Sequence, residues 1–191
     1  METARLWVSL GHHDRRGVWY LDGVTGPDEY TALVRDNVFT NLMAVHNMQT
    51  AADACERNPE LASAMGVTTD EAAAWRDAAG AANIPYDEDL GVHEQCEGFT
   101  TQREWNFTDN TSYPLLIHEP YVRLYPSQVV KQADLVLAMH WRSHAFSPEQ
   151  MARNLDYYER RTTRDSSLSA CTQAVICAAV GHLELAHDYT Y

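Results

Sequence analysis

The sequence predicts an all-α fold with helices in concentric layers, and three observations carry that expectation. Helical periodicity recurs from residue 36 to the C-terminus, while strand signals are confined to one short stretch. Some helical segments are apolar on one face and others on nearly every side, the pattern of an outer and an inner layer. The connections are long, whereas a four-helix bundle ordinarily has short ones.

In chain order, Val18, Trp19 and Tyr20 suit a short hairpin arm ending at Asp22-Gly23. From Asp36 to about Glu56, Val38, Leu42, Val45, Ala52 and Cys55 mark one helix face, stopped by Asn58-Pro59. Thr68-Thr69-Asp70-Glu71 is a capping box opening a second helix over residues 72–79, closed by Gly80. Residues 83–126 form a long irregular connection broken by Pro85, Gly91, Gly98, Pro114, Pro120 and Pro126. Such a loop is usually functional, and Trp105, Phe107, Tyr113, Tyr121 and Tyr125 give it rings suited to lining a cavity. A third helix over residues 127–142 is apolar nearly all round and expected to be buried; Lys131, Gln132 and Asp134 stand out on it. Ser147 caps a fourth, with Pro148 at its first position and Gln150 reaching back. Asp165-Ser166-Ser167 caps a fifth, running to about His182, and a sixth covers residues 183–189.

Composition bounds the function. The 191 residues suffice for one domain with a substantial core, and 45% hydrophobic against 21% charged residues marks a globular chain. No apolar run approaches the roughly 18 residues of a membrane span. The start, METARLWVSLGHHDRR, does not read as a signal peptide, so a cytoplasmic location and no membrane partner are expected. A net charge of −13, with Arg160, Arg161 and Arg164 as the sole basic cluster, disfavours nucleic acid. Four cysteines make no zinc spacing, nine histidines make no His-Glu-x-x-His pattern, and no metal or organic cofactor is expected. Cys171 and Cys177 read as buried thiols. Asn106 and Asn110 open glycosylation sequons that carry little weight without a secretory signal.

Three stretches could carry chemistry. In GVTGPDEY (23–30) a Gly-Pro turn presents Asp28 and Glu29; this is either a solvated acidic turn or a rigid mount for a general acid. Lys131 beside Gln132 either snorkels to solvent or offers donors and an acceptor to sugar hydroxyls. Arg160-Arg161-Thr162-Thr163-Arg164-Asp165-Ser166-Ser167 is either an ordinary helix cap with solvated arginines or an anion site.

GVTGPDEY, together with DNVFTNLMAVHNMQTA (36–51), EQCEGF (94–99), YPSQVVKQADLVLAM (125–139) and LDYYERRTTRDSSLS (155–169), resembles the catalytic domain of glycoside hydrolase family 65. That family includes maltose, trehalose and kojibiose phosphorylases and acid trehalases. The resemblance covers nearly the whole chain, in the family's order. It implies an (α/α)6 barrel, of which this chain is the second half, without the family's N-terminal β-rich domain. It implies inversion at an α-glucosidic bond of a disaccharide, with inorganic phosphate as co-substrate. Glu29 matches the general acid, Lys131, Gln132 and Glu159 match groups that hold the transferred glucose, and Ser166 and Ser167 match phosphate-binding serines. Arg164 departs from the His usual there and, being cationic, could still hold phosphate. Two other readings follow: a trehalase-type hydrolase using Glu94, Glu97, Glu159 or Asp165 as base, and an inactive fragment or sugar-binding subunit. Half a barrel leaves apolar faces bare, so a preceding segment or a second copy is expected to cover them.

Overall fold

The computed structural model describes residues 1–108 and 112–190; Asn110 and Thr111 of the second sequon lie outside them. The chain begins with helix α1 (Glu2–Leu10), for which local sequence gave no expectation. A helix this short is marginal alone and is held by tertiary contacts. Ala4 is buried, and Arg5 Nε donates to Glu71 Oε1 at 2.6 Å.

Strands β1 (His12–His13) and β2 (Trp19–Tyr20) pair antiparallel, as the hairpin arm requires. Gly11 is needed for close approach: a Cβ there would stand 2.1 Å from the Trp19 ring. Helix α2 (Val38–Arg57) is capped by Asn37, whose side chain accepts from Thr40 N–H. After the short α3 (Pro59–Ala64), α4 (Thr69–Ala81) opens on Thr68, which accepts from Glu71 N–H. It runs through Gly80 rather than stopping there. The break comes at extended Ala82, after which Asn83 N–H donates to Trp19 C=O at 2.8 Å. Helices α1, α2 and α4 share a core of Trp19, Leu21, Met48 and Trp75.

The long connection is ordered by short pairings. Strands β3 (Tyr86–Asp87) and β4 (Val92–His93) pair antiparallel. Next come β5 (Arg103–Glu104) and the one-turn helices α5 (Leu115–His118) and α6 (Tyr121–Leu124). Trp105 is buried with Tyr30, Leu115, Leu124 and Val129, and with Phe107 it also lines a cavity of about 260 Å³ shared with Gln128 and Arg161.

The helix expected over residues 127–142 is half that length. Ser127–Gln128 is strand β6, parallel to β5, and helix α7 covers only Asp134–Trp141. The backbone donors ahead of α7 have partners distant in sequence: Val130 N–H bonds Arg161 C=O, Lys131 N–H bonds Asp28, and Asp134 N–H bonds Gln95. Those bonds outcompete the helical ladder. Nor is α7 buried all round, since Trp141 is 65% exposed.

Helix α8 (Pro148–Glu159) carries the complete capping box of Ser147 and Gln150. Helix α9 (Ser167–Ala179) is capped by Ser166, and α10 (Leu183–Asp188) packs on it. Helix α9 ends short of His182, where Gly181 adopts φ +88° and His182 N–H returns to Cys177 C=O. Of the two cysteines on α9, Cys177 is buried and Cys171 exposed, which corrects the expectation for Cys171. Helix α7 lies against α2, α8 and α9, sharing a second core that includes Val38, Phe99, Met139, Leu155 and Tyr158. Among the described residues no helix is long and apolar enough to cross a membrane.

Candidate active site

Residues 24 and 34 exchange backbone hydrogen bonds of 3.0 and 2.9 Å, closing a loop around the Gly-Pro turn. Within it, Gly26 sits against the head of α7. A Cβ at this position would lie 2.0 Å from Asp134 Oδ2 and 2.5 Å from Asn37 Nδ2. The close approach requires glycine, and it splits the two carboxylates that follow.

Asp28 turns inward and is fully buried. Its Oδ1 accepts from the backbone N–H of Lys131 (2.9 Å) and Gln132 (3.3 Å). Its Oδ2 accepts from Thr31 Oγ1 (2.8 Å) and Gln95 Nε2 (3.1 Å). Asp28's own N–H donates to Asp134 Oδ1 at 2.7 Å, and Asn37 Nδ2 donates to Asp134 Oδ2 at 2.7 Å. Burial pushes the Asp28 carboxyl up to about 6, against the pull of its donors. Asp134 is also raised well above the ordinary carboxylate range, by burial and then by Asp28's charge.

Glu29 turns outward, and its side chain is 51% exposed. Lys131 Nζ meets Glu29 Oε2 at 2.5 Å, and Gln132 Nε2 donates to Pro27 C=O. The structure thus brings Glu29, Lys131 and Gln132 together at one junction. Lys131 and Gln132 reach it from a loop whose N–H groups Asp28 holds, not from a helix.

A second group lies where α8, α9 and α10 meet. Arg164, in the left-handed region at φ +59°, aims its guanidinium back onto Glu159 and over the Tyr189 ring. Tyr189 OH donates to the two Glu159 oxygens at 2.8 and 2.7 Å, and Gln173 Nε2 reaches Glu159 Oε2 at 3.3 Å. Burial, then the bond to Glu159, pushes the Tyr189 phenol above its ordinary value. Arg164, Ser166, Ser169, Asp188 and Tyr189 line a cavity of about 270 Å³. Ser167 stands exposed as the first residue of α9.

The two groups are tied together. Val130 and Thr163 exchange backbone bonds with partners across the 130 and 161–163 segments, and Tyr30 OH donates to Asp165 Oδ2 at 2.8 Å. A cavity of about 250 Å³ between them is lined by Pro27, Gln132, Asp134, Ser169 and Gln173, among others. Gln173 is buried, and its Oε1 has no partner among the described residues.

Of the carboxylates weighed as a base, Glu94 binds the N–H groups of Gly98 and Thr100, and Asp165 is held by Tyr30 and Thr163. Glu97 pairs with Arg35 at 3.3 Å. Sequence reasoning missed Gln95, Asn37, Gln173 and Tyr189. A hint was present for Gln95, which lies inside the EQCEGF block.

Comparison with known proteins gives the class first. A solved chain described as "Putative kojibiose phosphorylase from human microbiome" superposes with a TM-score of 0.87 at 27% identity, over 97% of this chain and 28% of that one. The mostly helical fold is therefore part of an (α/α) barrel of the kind found in glycoside-acting enzymes. The glycosyl hydrolase family 65 central catalytic domain matches residues 1–191, and the chain belongs to that family. An "Uncharacterized glycosyl hydrolase" of Mycobacterium tuberculosis is 81% identical over 100% of this chain and 24% of its own length. The α,α-trehalose phosphorylase of Geobacillus stearothermophilus is 41% identical over 99% of this chain and 26% of its own. The chain spans about a quarter of the length of these curated relatives.

Proposed function

We propose that the chain supplies the acid and phosphate side of an inverting α-glucoside phosphorylase. The observation that carries this reading is the junction of Glu29, Lys131 and Gln132, tied through residues 130 and 161–163 to a cavity walled by Arg164 and Ser166. In the proposed reaction a phosphate oxygen attacks the anomeric carbon as the glycosidic C–O bond breaks. Glu29 gives its proton to the leaving oxygen, yielding β-glucose 1-phosphate and a free sugar. Lys131, Gln132 and Glu159 hold the transferred glucose; Arg164, Ser166 and Ser167 hold phosphate, aided by the N-terminal dipole of α9. Kinship with named trehalose and kojibiose phosphorylases supports the class of substrate. The test is turnover of trehalose, maltose and kojibiose by the complete gene product, with and without inorganic phosphate. Strict phosphate dependence is expected, and turnover indifferent to phosphate overturns the reading.

One observation favours a second reading, hydrolysis. Glu159 is a weighed carboxylate held by side chains, those of Arg164, Tyr189 and Gln173, and its own side chain is 14% exposed beside buried Gln173. An inverting hydrolase needs such a base about 6.5–9.5 Å from the acid. Glu159→Gln separates the two: a hydrolase loses its water activation, whereas a phosphorylase loses sugar affinity.

A further inference from the structure

Asp28 is fully buried, has no contact with solvent, and yet organises the parts of the site that face it. A single carboxylate accepts four hydrogen bonds, two from the Lys131–Gln132 backbone and two from the Thr31 and Gln95 side chains. Its backbone N–H is anchored on Asp134, whose own N–H is held by Gln95 Oε1 at 2.8 Å. The turn bearing Glu29, the 131–132 loop, the head of α7 and the 95 segment are thereby fixed to one another. Fold stability is a poor explanation for this arrangement. Two neighbouring buried carboxylates raise each other's cost of ionisation, and well-packed apolar groups commonly serve a core as well or better.

We propose that Asp28 is a positioning residue for the transfer of a proton to the leaving group: it sets the spacing between Glu29 and the Lys131–Gln132 pair that holds the sugar. This rests on the reading of Glu29 as the general acid. The geometry makes the role specific to a carboxylate. An Asn at position 28 would turn an NH₂ toward either two backbone donors or the Gln95 amide, opening one side of the frame. Glu29 would keep its side chain but lose its register with the bound glycosidic oxygen, and misplacement of about 1 Å can lower a rate about 100-fold.

The test uses the complete gene product and two substrates, the α-linked glucose disaccharide it turns over best and α-glucosyl fluoride, whose leaving group needs little protonation. Asp28→Asn is expected to lower kcat on the disaccharide by about 100-fold or more and on the fluoride by less than about tenfold. Glu29→Gln is expected to show the same split, larger. Equal losses on both substrates for Asp28→Asn, or no loss on either, overturn the proposal while a split for Glu29→Gln keeps the acid in place. Absence of any split for Glu29→Gln removes the acid and the proposal with it. Should Asp28→Asn not fold, Thr31→Val, which deletes the 2.8 Å donor to Oδ2, gives the decision. A split of about tenfold in the same direction supports positioning, and parallel losses overturn it.

Discussion

Asp28 and Glu29 are neighbours in one turn, with the same chemical group, and they occupy opposite environments. Asp28 faces four hydrogen-bond donors in the buried interior, while half-exposed Glu29 faces the Lys131 ammonium. The difference comes from Gly26, which lets the turn approach Asp134 closely enough for the next residues to alternate inward and outward. The inner carboxylate is framework and the outer one is free to meet a ligand. In the proposed reading, such a site separates rigidity from reactivity over one peptide bond.

The comparison can be broken most sharply at its outer half. In the proposed reading, Glu29→Gln lowers kcat on a disaccharide by about 10³-fold, roughly 4 kcal/mol, with a thermal midpoint unchanged within a few degrees. Assay and thermal melt together check it, because an effect on both would make Glu29 a structural residue. The inner half breaks at Gly26→Ala, whose methyl has no room beside Asp134 and Asn37. A loss of about 3 kcal/mol in urea unfolding is expected.

The inner pair is also sharpened by pH. The folded Asp28 carboxyl is raised from its ordinary 3.8 to about 6, so between these values the folded chain binds more protons than the unfolded one. Stability contributed by protonation is complete below pH 3.8 and is lost as pH rises through about 6. Asp134 acts with the same sign. The unfolding free energy of the parent from urea titration should therefore fall, relative to Asp28→Asn, between about pH 4 and 6, by an amount on the order of 1–3 kcal/mol. The smallest effect is expected at the second carboxylate. Tyr189→Phe removes two short bonds from Glu159 but leaves Arg164 and Gln173, for a loss of about 1 kcal/mol in the same titration.

Much of the local structure was legible because its causes are local. The cap at Thr68, the box at Ser147–Gln150, the stop at Asn58-Pro59 and the hairpin at Trp19 each depend on residues within a few positions of one another. The candidate site residues were legible through family motifs rather than through periodicity, and periodicity misled where it mattered. Residues 130–132 lie in a stretch whose apolar pattern suits a helix, yet their amides bond across the fold. Gln173 and Tyr189 gave no signal, since a Gln on an Ala-rich helix and a Tyr near the C-terminus become notable only beside Glu159.

The sequence by itself determined that the chain is helical, where α2, α4, α8, α9 and α10 begin, and that an acidic Gly-Pro turn, a Lys-Gln pair and an Arg-Asp-Ser-Ser run are its distinctive chemistry. Tertiary structure alone decided which acid of that turn faces water. Asp28 meets the Lys131 amide 103 positions away and the Asp134 carboxylate 106 positions away. Hydrogen bonds between residues so distant follow from chain packing, which no short window of sequence encodes.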